Sequence, residues 1–322
     1  MDEFGIIARY FAPLAQDAGA FALKDDAAVI SPRPGFDLVV TTDLIADGTD
    51  FLPSDPAQTV AQKALRVNLS DLAAKGAQPE YYLLTLALPR AVTEEWLAHF
   101  AAGLSDGQRQ FGVSLLGGDI SATEGPLSIC LTAFGFVAQG RMVKRSGAQD
   151  GDAVYVTGTI GDSAGGLAIL RREPHELSQA QRDYLTGRYR QPEPPVVFGS
   201  RFLKDLAGAA IDVSDGLIAD LGHIASASRV KIDLDAEAIP RSEALRALWG
   251  EGEGAILRAA TAGDDYQIAF TARPTAHADI LAAAAKAAIP VSRIGAVGAG
   301  EGVILHHEGH VLAVPKPGYR HF

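Results

Sequence analysis

The sequence predicts an α/β fold built in two halves, and three observations point to it. Apolar, β-prone runs bounded by Gly, Pro or Asp alternate with segments of helical periodicity; a polar, glycine-rich stretch at 138–152 interrupts the alternation; and many of the runs end in aspartate. With 322 residues, 48% hydrophobic and 21% charged, there is material for two packed domains, taken as 1–140 and 141–322. That composition excludes disorder as the main theme.

Taken in order, Ala27–Ile30 and Asp37–Thr42 read as strands. Pro56–Ala77 reads as a helix, because Val60, Ala64, Leu65, Leu69 and Leu72 recur at helical spacing behind the cap-like Asp55. Tyr81–Leu88 is the next strand. Thr93–Phe111 is a second helix, opened by Thr93-Glu-Glu95 and carrying Trp96, Leu97, Phe100 and Leu104 on one face. Ser114–Leu116 and Leu127–Phe136 complete the first half as strands, the latter holding the single cysteine, Cys130. The second half carries strand patterns at Ala153–Thr157, Ala209–Val213, Gln267–Thr271 and Val303–His307, with an Ala-rich helix at Thr275–Ala288. The proline-bearing stretch Arg188–Pro195 reads as a surface loop.

Charge and cysteine content narrow the function classes. Lys and Arg number 28 against 39 Asp and Glu, a net charge of −11, which repels a nucleic-acid backbone. A lone cysteine cannot pair within the chain and suits a reducing compartment. Met1–Phe11 lacks a basic stretch leading into an apolar core, and no apolar run approaches the ~20 residues that span a bilayer. A cytoplasmic protein without membrane or nucleic-acid partners is expected.

The chemistry lies in the aspartates. Apolar runs end in carboxylates at Lys24-Asp-Asp26, Val39-Val-Thr-Thr-Asp43, Asn68-Leu-Ser-Asp71, Leu116-Gly-Gly-Asp119 and Ile211-Asp-Val-Ser-Asp-Gly216. One such Asp is ordinarily a cap or turn residue. Five gathered at strand ends would repel one another unless cations neutralise them, and Mg²⁺, which shares carboxylate and phosphate oxygens, fits that need. Asp212 and Asp215 are the best pair. Val156–Gly166 runs from a strand through glycines into a helix, a turn able to face an anion but more often plain packing; it is neither a Walker A loop nor a dinucleotide fingerprint. His306-His-Glu-Gly-His310 reads as a hairpin turn and not a metal cluster. Ser163 and Ser214 have no histidine placed to complete a nucleophilic triad.

Several motifs, in this order, resemble the thiamine-monophosphate kinase family of the PurM-like (AIR-synthetase-like) ATP-binding superfamily: Thr41-Thr-Asp43, Lys63-Ala-Leu-Arg-Val-Asn-Leu-Ser-Asp-Leu-Ala-Ala-Lys-Gly-Ala77, Gly117-Gly-Asp119, Ile211-Asp-Val-Ser-Asp-Gly216 and Gly263-Asp-Asp-Tyr266. The likeness runs from Phe4-Gly-Ile-Ile-Ala-Arg-Tyr-Phe11 to Gly318-Tyr-Arg-His-Phe322. It implies mixed α+β sheets in two domains, the N-terminal one forming a β-barrel across a homodimer with helices outside. It implies transfer of the ATP γ-phosphoryl group to thiamine phosphate, in line and without a phosphoenzyme, so that no residue is assigned as a catalytic acid or base. Carried over by motif, Asp26, Thr41, Thr42, Asp43, Asp71, Asp119, Asp212 and Asp215 would hold Mg²⁺. Gly118, Asp119, Arg145 and Ser214 would contact ATP, and Asp50, Asp264 and Tyr319 thiamine phosphate.

Some positions depart from the family's usual pattern. Lys24 stands where Gly is usual, Asp50 where His is usual, Asp264 where Glu is usual, and Ile120-Ser121 where Thr-Thr is common. These bear on the acceptor, so the competing readings are a PurM-superfamily ATP-dependent enzyme with another acceptor and a nucleotide-binding regulator without turnover.

Overall fold

The computed structural model describes residues 3–174 and 176–319. Residues 1, 2, 175 and 320–322 lie outside the described residues, among them the last three of the terminal segment on which the family resemblance ends. The chain divides into two compact units, one of residues up to Leu72 with Ala77–Arg141, the other of Ala73–Gly76 with Met142 onward.

The first unit opens with a short helix α1 (Glu3–Ile6) that runs on through irregular turns to Leu23. Its sheet has four strands, β1 (Phe36–Ala46), β2 (Gln78–Pro89), β3 (Ser114–Thr123) and β4 (Ser128–Ala138), in the order β1-β4-β2-β3. β4 runs antiparallel to both β1 and β2, whereas β2 and β3 are parallel, so the sheet is mixed. Two long helices, α2 (Ala57–Ala74) and α3 (Glu94–Phe111), supply the rest of the core. Thr93 caps α3 through its side chain, and Gly112 closes it in the left-handed conformation. Alternation along β1 buries Val39 and Ile45 and turns Phe36, Leu38, Val40 and Leu44 to the exposed face. The sheet is open within one chain, with β1 and β3 as its edges; no closed barrel forms.

The second unit holds a seven-stranded mixed sheet of β5 (Ala153–Thr157), β6 (Ala209–Asp212), β7 (Lys231–Asp235), β8 (Ile268–Ala272), β9 (Val291–Gly298), β10 (Gly302–His307) and β11 (His310–Leu312), in the order β11-β10-β7-β9-β5-β8-β6. Every residue of β5, β6 and β8 is buried, which is why these read as continuous apolar runs. The helices are α4 (Asp162–Leu170), α5 (Gln179–Arg190), the single turns α6 (Val196–Phe198) and α7 (Lys204–Leu206), α8 (Leu217–Ser228), α9 (Glu243–Trp249), α10 (Glu253–Ala260) and α11 (His277–Lys286). One core joins Val154, Ile211, Leu221, Ile224, Ile232 and Ile294; a smaller one joins Leu185, Leu245 and Ala259.

Three sequence expectations need correction. Arg188–Pro195 is not a surface loop throughout: Arg188–Arg190 end α5, and Tyr189, Pro192, Pro194 and Pro195 are buried. Ala27–Ile30 is not a strand: Val29 makes one backbone bond, to Gly19, and the segment lies on a small apolar cluster of Ala15, Ala20 and Leu116. The strand at Ser114–Leu116 runs on to Thr123, because Gly117 and Gly118 pass along β2 instead of ending the ladder. Strands β7 and β9 carry weak signals, the first because charges alternate with Ile232 and Leu234, the second because it contains two glycines. Gly295 is required there, since a Cβ would lie 2.1 Å from the Asp233 carbonyl oxygen.

The α2–α3 contact depends on the same kind of close approach. A Cβ on Gly103 would stand 2.4 Å from the Gln58 carbonyl oxygen and 2.9 Å from Ala61 Cβ. Gly103→Ala is expected to lower the stability of the chain by ~1–3 kcal/mol in urea titration; an unchanged midpoint would show that the helices separate without cost.

Candidate functional site

In the first unit the sheet edge and α2 build a carboxylate cluster. Thr41 and Asp43 share one face of β1, and the Thr41 hydroxyl donates to Asp71 of α2. Asp43 is held beside Asp71 and Asp50; burial first, then those two charges, push its pKa up to about 7. Thr42 faces the other way, its hydroxyl 3.0 Å from that of Thr132 and 3.2 Å from the Leu131 carbonyl oxygen. Asp50 closes a turn after β1: its carboxylate accepts from the Ala46 N–H at 2.8 Å, and its carbonyl accepts from Lys63 Nζ at 2.7 Å. Lys63, Asn68 and Ser70 are buried polar residues of α2, within the Lys63–Ala77 motif.

A cavity of about 720 Å³ brings together three other expected residues, Asp26, Gly118 and Asp119. Its walls are otherwise mostly apolar, with Phe11, Leu116 and Phe134 among them. Gly118 is there for steric reasons: at φ 157° a Cβ would fall 1.7 Å from the Leu84 carbonyl oxygen, so β3 can lie against β2 only with glycine at this point. A pocket with apolar walls and a few carboxylates at its rim suits a flat apolar group that carries a charged tail.

The second unit presents a loop from Asp212, at the end of β6, to Gly216, before α8. Asp212 is buried, while Ser214 and Asp215 are half-buried. Two further segments meet this loop through backbone bonds of 2.8 Å, from Asp264 N–H to the Ser214 carbonyl and from Tyr319 N–H to the Asp215 carbonyl. Asp264, Asp215 and Tyr319 are thus neighbours, with Tyr319 46% exposed and able to offer its ring. Asp264 and Tyr266 adopt positive φ, and the Tyr266 hydroxyl donates to Asp264 at 3.1 Å. Arg145 is exposed elsewhere in this unit, its carbonyl oxygen 3.3 Å from the Ser228 hydroxyl.

The glycine-rich turn before α4 does not face an outside anion. Buried Asp265 occupies that place, its carboxyl group accepting from Gly161 N–H at 2.7 Å and Ser163 N–H at 3.3 Å, while burial pushes its pKa well above the usual carboxylate range. The residues at 306–310 form the β10–β11 hairpin, with Glu308 and Gly309 at positive φ and His306 paired to Asp233. Among the described residues no three His, Cys, Asp or Glu side chains are arranged to hold a metal ion by themselves, and no helix is long and apolar enough to cross a membrane. Sequence reasoning assigned no role to Asp265, the second Asp of the Gly263–Tyr266 motif, or to Asp220, whose only signal was an Asp among apolar residues.

Two mixed α/β units, one bearing a carboxylate-lined sheet edge and cavity and the other an aspartate loop, define a two-domain protein of the PurM-like class. In agreement, residues 24–137 match the family described as AIR synthase related protein, N-terminal domain, and residues 149–308 its C-terminal domain. The thiamine-monophosphate kinase of Escherichia coli is 41% identical over 99% of this chain and 98% of its own length. The crystal structure of thiamine-monophosphate kinase from Stenotrophomonas maltophilia superimposes with a TM-score of 0.86 at 39% identity, covering 97% of this chain and 98% of that one. A structure described as AaThiL complexed with AMPPCP and TMP gives 0.78 at 31% identity, over 99% and 97%. The chain belongs to the thiamine-monophosphate kinase family.

The raised pKa of Asp43 has a stability consequence in chelator-treated protein. An acid whose folded pKa lies near 7 holds a proton that the unfolded chain has released above about 4, so stability falls as pH rises through that window. Asp43→Asn is expected to melt higher than wild type at pH 8 with EDTA and to match it near pH 4. Equal melting temperatures at pH 8 would contradict the crowding of Asp43 by Asp71 and Asp50.

Proposed function

We propose that this chain transfers the γ-phosphoryl group of ATP to thiamine phosphate, giving thiamine diphosphate and ADP, in the cytoplasm and as part of thiamine diphosphate biosynthesis. The observation that carries the reading is the Asp43, Asp71 and Thr41 cluster: carboxylates crowded until one resists ionisation form a place built for a cation-bound polyphosphate. Membership of the kinase family over the full chain, and the complex of AaThiL with the ATP analogue AMPPCP and with TMP, support it.

In the first unit, the cavity beside Gly118 and Asp119 would take part of ATP, and Asp26, Thr41, Asp43, Asp71 and Asp119 would hold Mg²⁺; Thr42 would join only through its main chain, since its hydroxyl lies on the far face. In the second unit, Asp212 and Asp215 would hold Mg²⁺, Ser214 and Arg145 would contact ATP, and Asp264 and Tyr319 the acceptor. Asp50 of the first unit would add a further acceptor contact. The donor set suits Mg²⁺, which binds through one or two carboxylates and completes its octahedron with phosphate oxygens and water, so the lack of a three-residue protein cage is in keeping with it. When bound, Mg²⁺ supplies charge neutralisation between two anions that otherwise repel.

The transfer itself asks little covalent chemistry of the protein. A terminal oxygen of thiamine phosphate attacks the γ-phosphorus in line; the new P–O bond forms as the bond to the β–γ bridging oxygen breaks, and ADP leaves. The acceptor phosphate is already ionised, so no general base is needed. What the chain contributes is position: β1 and α2 fix the carboxylates, and the 212–216 loop fixes Asp215 against the segments carrying Asp264 and Tyr319. We also propose a homodimer joined through the outer face of β1, where Phe36, Val40 and Leu44 are 50–62% exposed on one strand.

A phosphorus NMR time course tests the reaction. ATP, Mg²⁺ and thiamine phosphate should yield thiamine diphosphate and ADP together, and thiamine in place of thiamine phosphate should yield neither; ATP binding without transfer would overturn the kinase reading. Asp71→Asn is expected to cost roughly a hundredfold or more in turnover with the fold retained. Because Asp43 titrates at about 7 without a cation, apparent Mg²⁺ affinity should fall as pH drops below that value, approaching roughly tenfold per pH unit. Calorimetric titrations at pH 6 and 8 showing equal affinity would remove Asp43 from the site.

A further inference from the structure

We infer that Asp220 is the positioning residue of the second unit's functional loop, a single carboxylate oxygen that sets the orientation of three successive peptide groups and thereby the places of Asp215, Asp264 and Tyr319. The inference rests on the proposed function for what those residues do, and on geometry alone for how they are held.

Asp220 lies one turn inside α8 and is 2% exposed. Its Oδ2 accepts from the N–H groups of Ser214 at 3.0 Å, Asp215 at 3.0 Å and Gly216 at 3.1 Å. Three consecutive amides pointing at one atom form a concave nest of the kind that elsewhere binds a phosphate oxygen or other anion. Here the anion is built in. Gly216, at φ 128°, lets the chain turn from the nest into the helix, and a Cβ there would come within 3.0 Å of the Thr261 carbonyl.

The consequence is on the opposite side of the same peptides. A peptide plane carries its C=O roughly antiparallel to its N–H, so drawing the amides of Asp215 and Gly216 inward turns the carbonyls of Ser214 and Asp215 outward. Those two carbonyls receive Asp264 N–H and Tyr319 N–H, both at 2.8 Å. Gly263 and Gly318 leave no room for any other arrangement, since a Cβ on either would meet the Ser214 or Asp215 carbonyl oxygen at 2.3 and 2.5 Å. One buried carboxylate therefore registers three chain segments that are remote in sequence. An ordinary helix cap uses a side chain before the first turn to satisfy the helix's own N–H groups; Asp220 reaches backwards out of the helix to amides that precede it, which stabilises the loop and not the helix.

The test compares Asp220→Ala and Asp220→Asn in the full chain. All three bonds go to one oxygen, which an Asn carbonyl can replace, so Asp220→Asn should keep the KM values for ATP and thiamine phosphate within about threefold of wild type. Asp220→Ala should raise both KM values and the Mg²⁺ concentration for half-maximal rate by roughly tenfold or more while melting as a folded protein. A merely structural role would lower the melting temperature and leave the KM values unchanged, which would overturn the inference, as would Asp220→Asn failing as badly as Asp220→Ala. Should Asp220→Ala not fold, hydrogen exchange in wild-type protein decides: the amides of Ser214, Asp215 and Gly216 should exchange at least about tenfold more slowly than those of an open loop, and exchange at open-loop rates refutes the nest. Exchange is read without turnover, so a wild-type chain that lacked kinase activity would refute the proposed function and leave this inference to stand or fall by itself.

Discussion

The constraint on which the first unit depends is the confinement of Asp43 beside Asp71 and Asp50. A half-buried carboxylate facing two others keeps its proton to higher pH than it would in water, with its pKa pushed up to about 7. Such an arrangement is unfavourable for a bare chain, and hydrophobic burial elsewhere has to offset it. The offset is visible in α2, where Leu65, Leu69 and Leu72 have essentially no exposure, and in β4, where Ile129 and Leu131 are fully buried. The helix also carries Lys63, tied to the Asp50 carbonyl oxygen, so the same element that brings Asp71 to the sheet fixes the turn that brings Asp50. Core and carboxylate cluster are placed by one helix, whose buried polar residues bond to neighbouring segments and whose apolar residues hold it against the sheet.

The second unit meets a similar difficulty by a different route. Its buried carboxyl groups Asp220 and Asp265 each accept from backbone N–H groups of the kind that elsewhere face a phosphate. At the turn before α4 this closes an anion site that the glycines alone would advertise. At the 212–216 loop the amides of Ser214, Asp215 and Gly216 are drawn inward onto Asp220. Burial and Asp215 raise the Asp220 pKa to about 7 while the three amides lower it, so the loop's geometry and its electrostatics are held in the same few bonds.

Much of this was legible in the sequence, for identifiable reasons. Strands β5, β6 and β8 are buried on both faces and so appear as unbroken apolar runs, and α2 and α3 carry helical spacing with cap residues. The motif aspartates are visible because nothing else in an apolar run has their polarity, but of those expected at strand ends only Asp212 ends one: Asp43 and Asp119 lie inside β1 and β3, Asp71 lies in α2, and Asp26 lies outside any strand. What could not be read was contact between remote segments. Asp220 looks like any Asp in the first turn of a helix, Asp265 like the second half of an Asp-Asp pair, and only the fold shows which amides they meet. Ala27–Ile30 has the composition of a strand, but no neighbouring strand is there to pair with it. Thr42 and Asp43 are adjacent in the motif, and the two-residue period of β1 nevertheless sends their side chains to opposite faces.

A turn bond explains how Asp fits at position 50, where the family resemblance leads one to expect His. Its carboxylate accepts from the Ala46 N–H and so forms the turn that ends β1, a role that Asp fills with a short side chain and no strain. The replacement also changes the electrostatics. An imidazole would leave Asp43 with Asp71 as its one close anionic neighbour, whereas Asp50 adds a second, and both contribute to the raised pKa. With Asp43 ionised only above about pH 7, the charge this cluster presents grows as pH rises through that value. The crowding at this cluster is therefore set in part by the residue at position 50, and anything that neutralises one of the carboxylates relieves it.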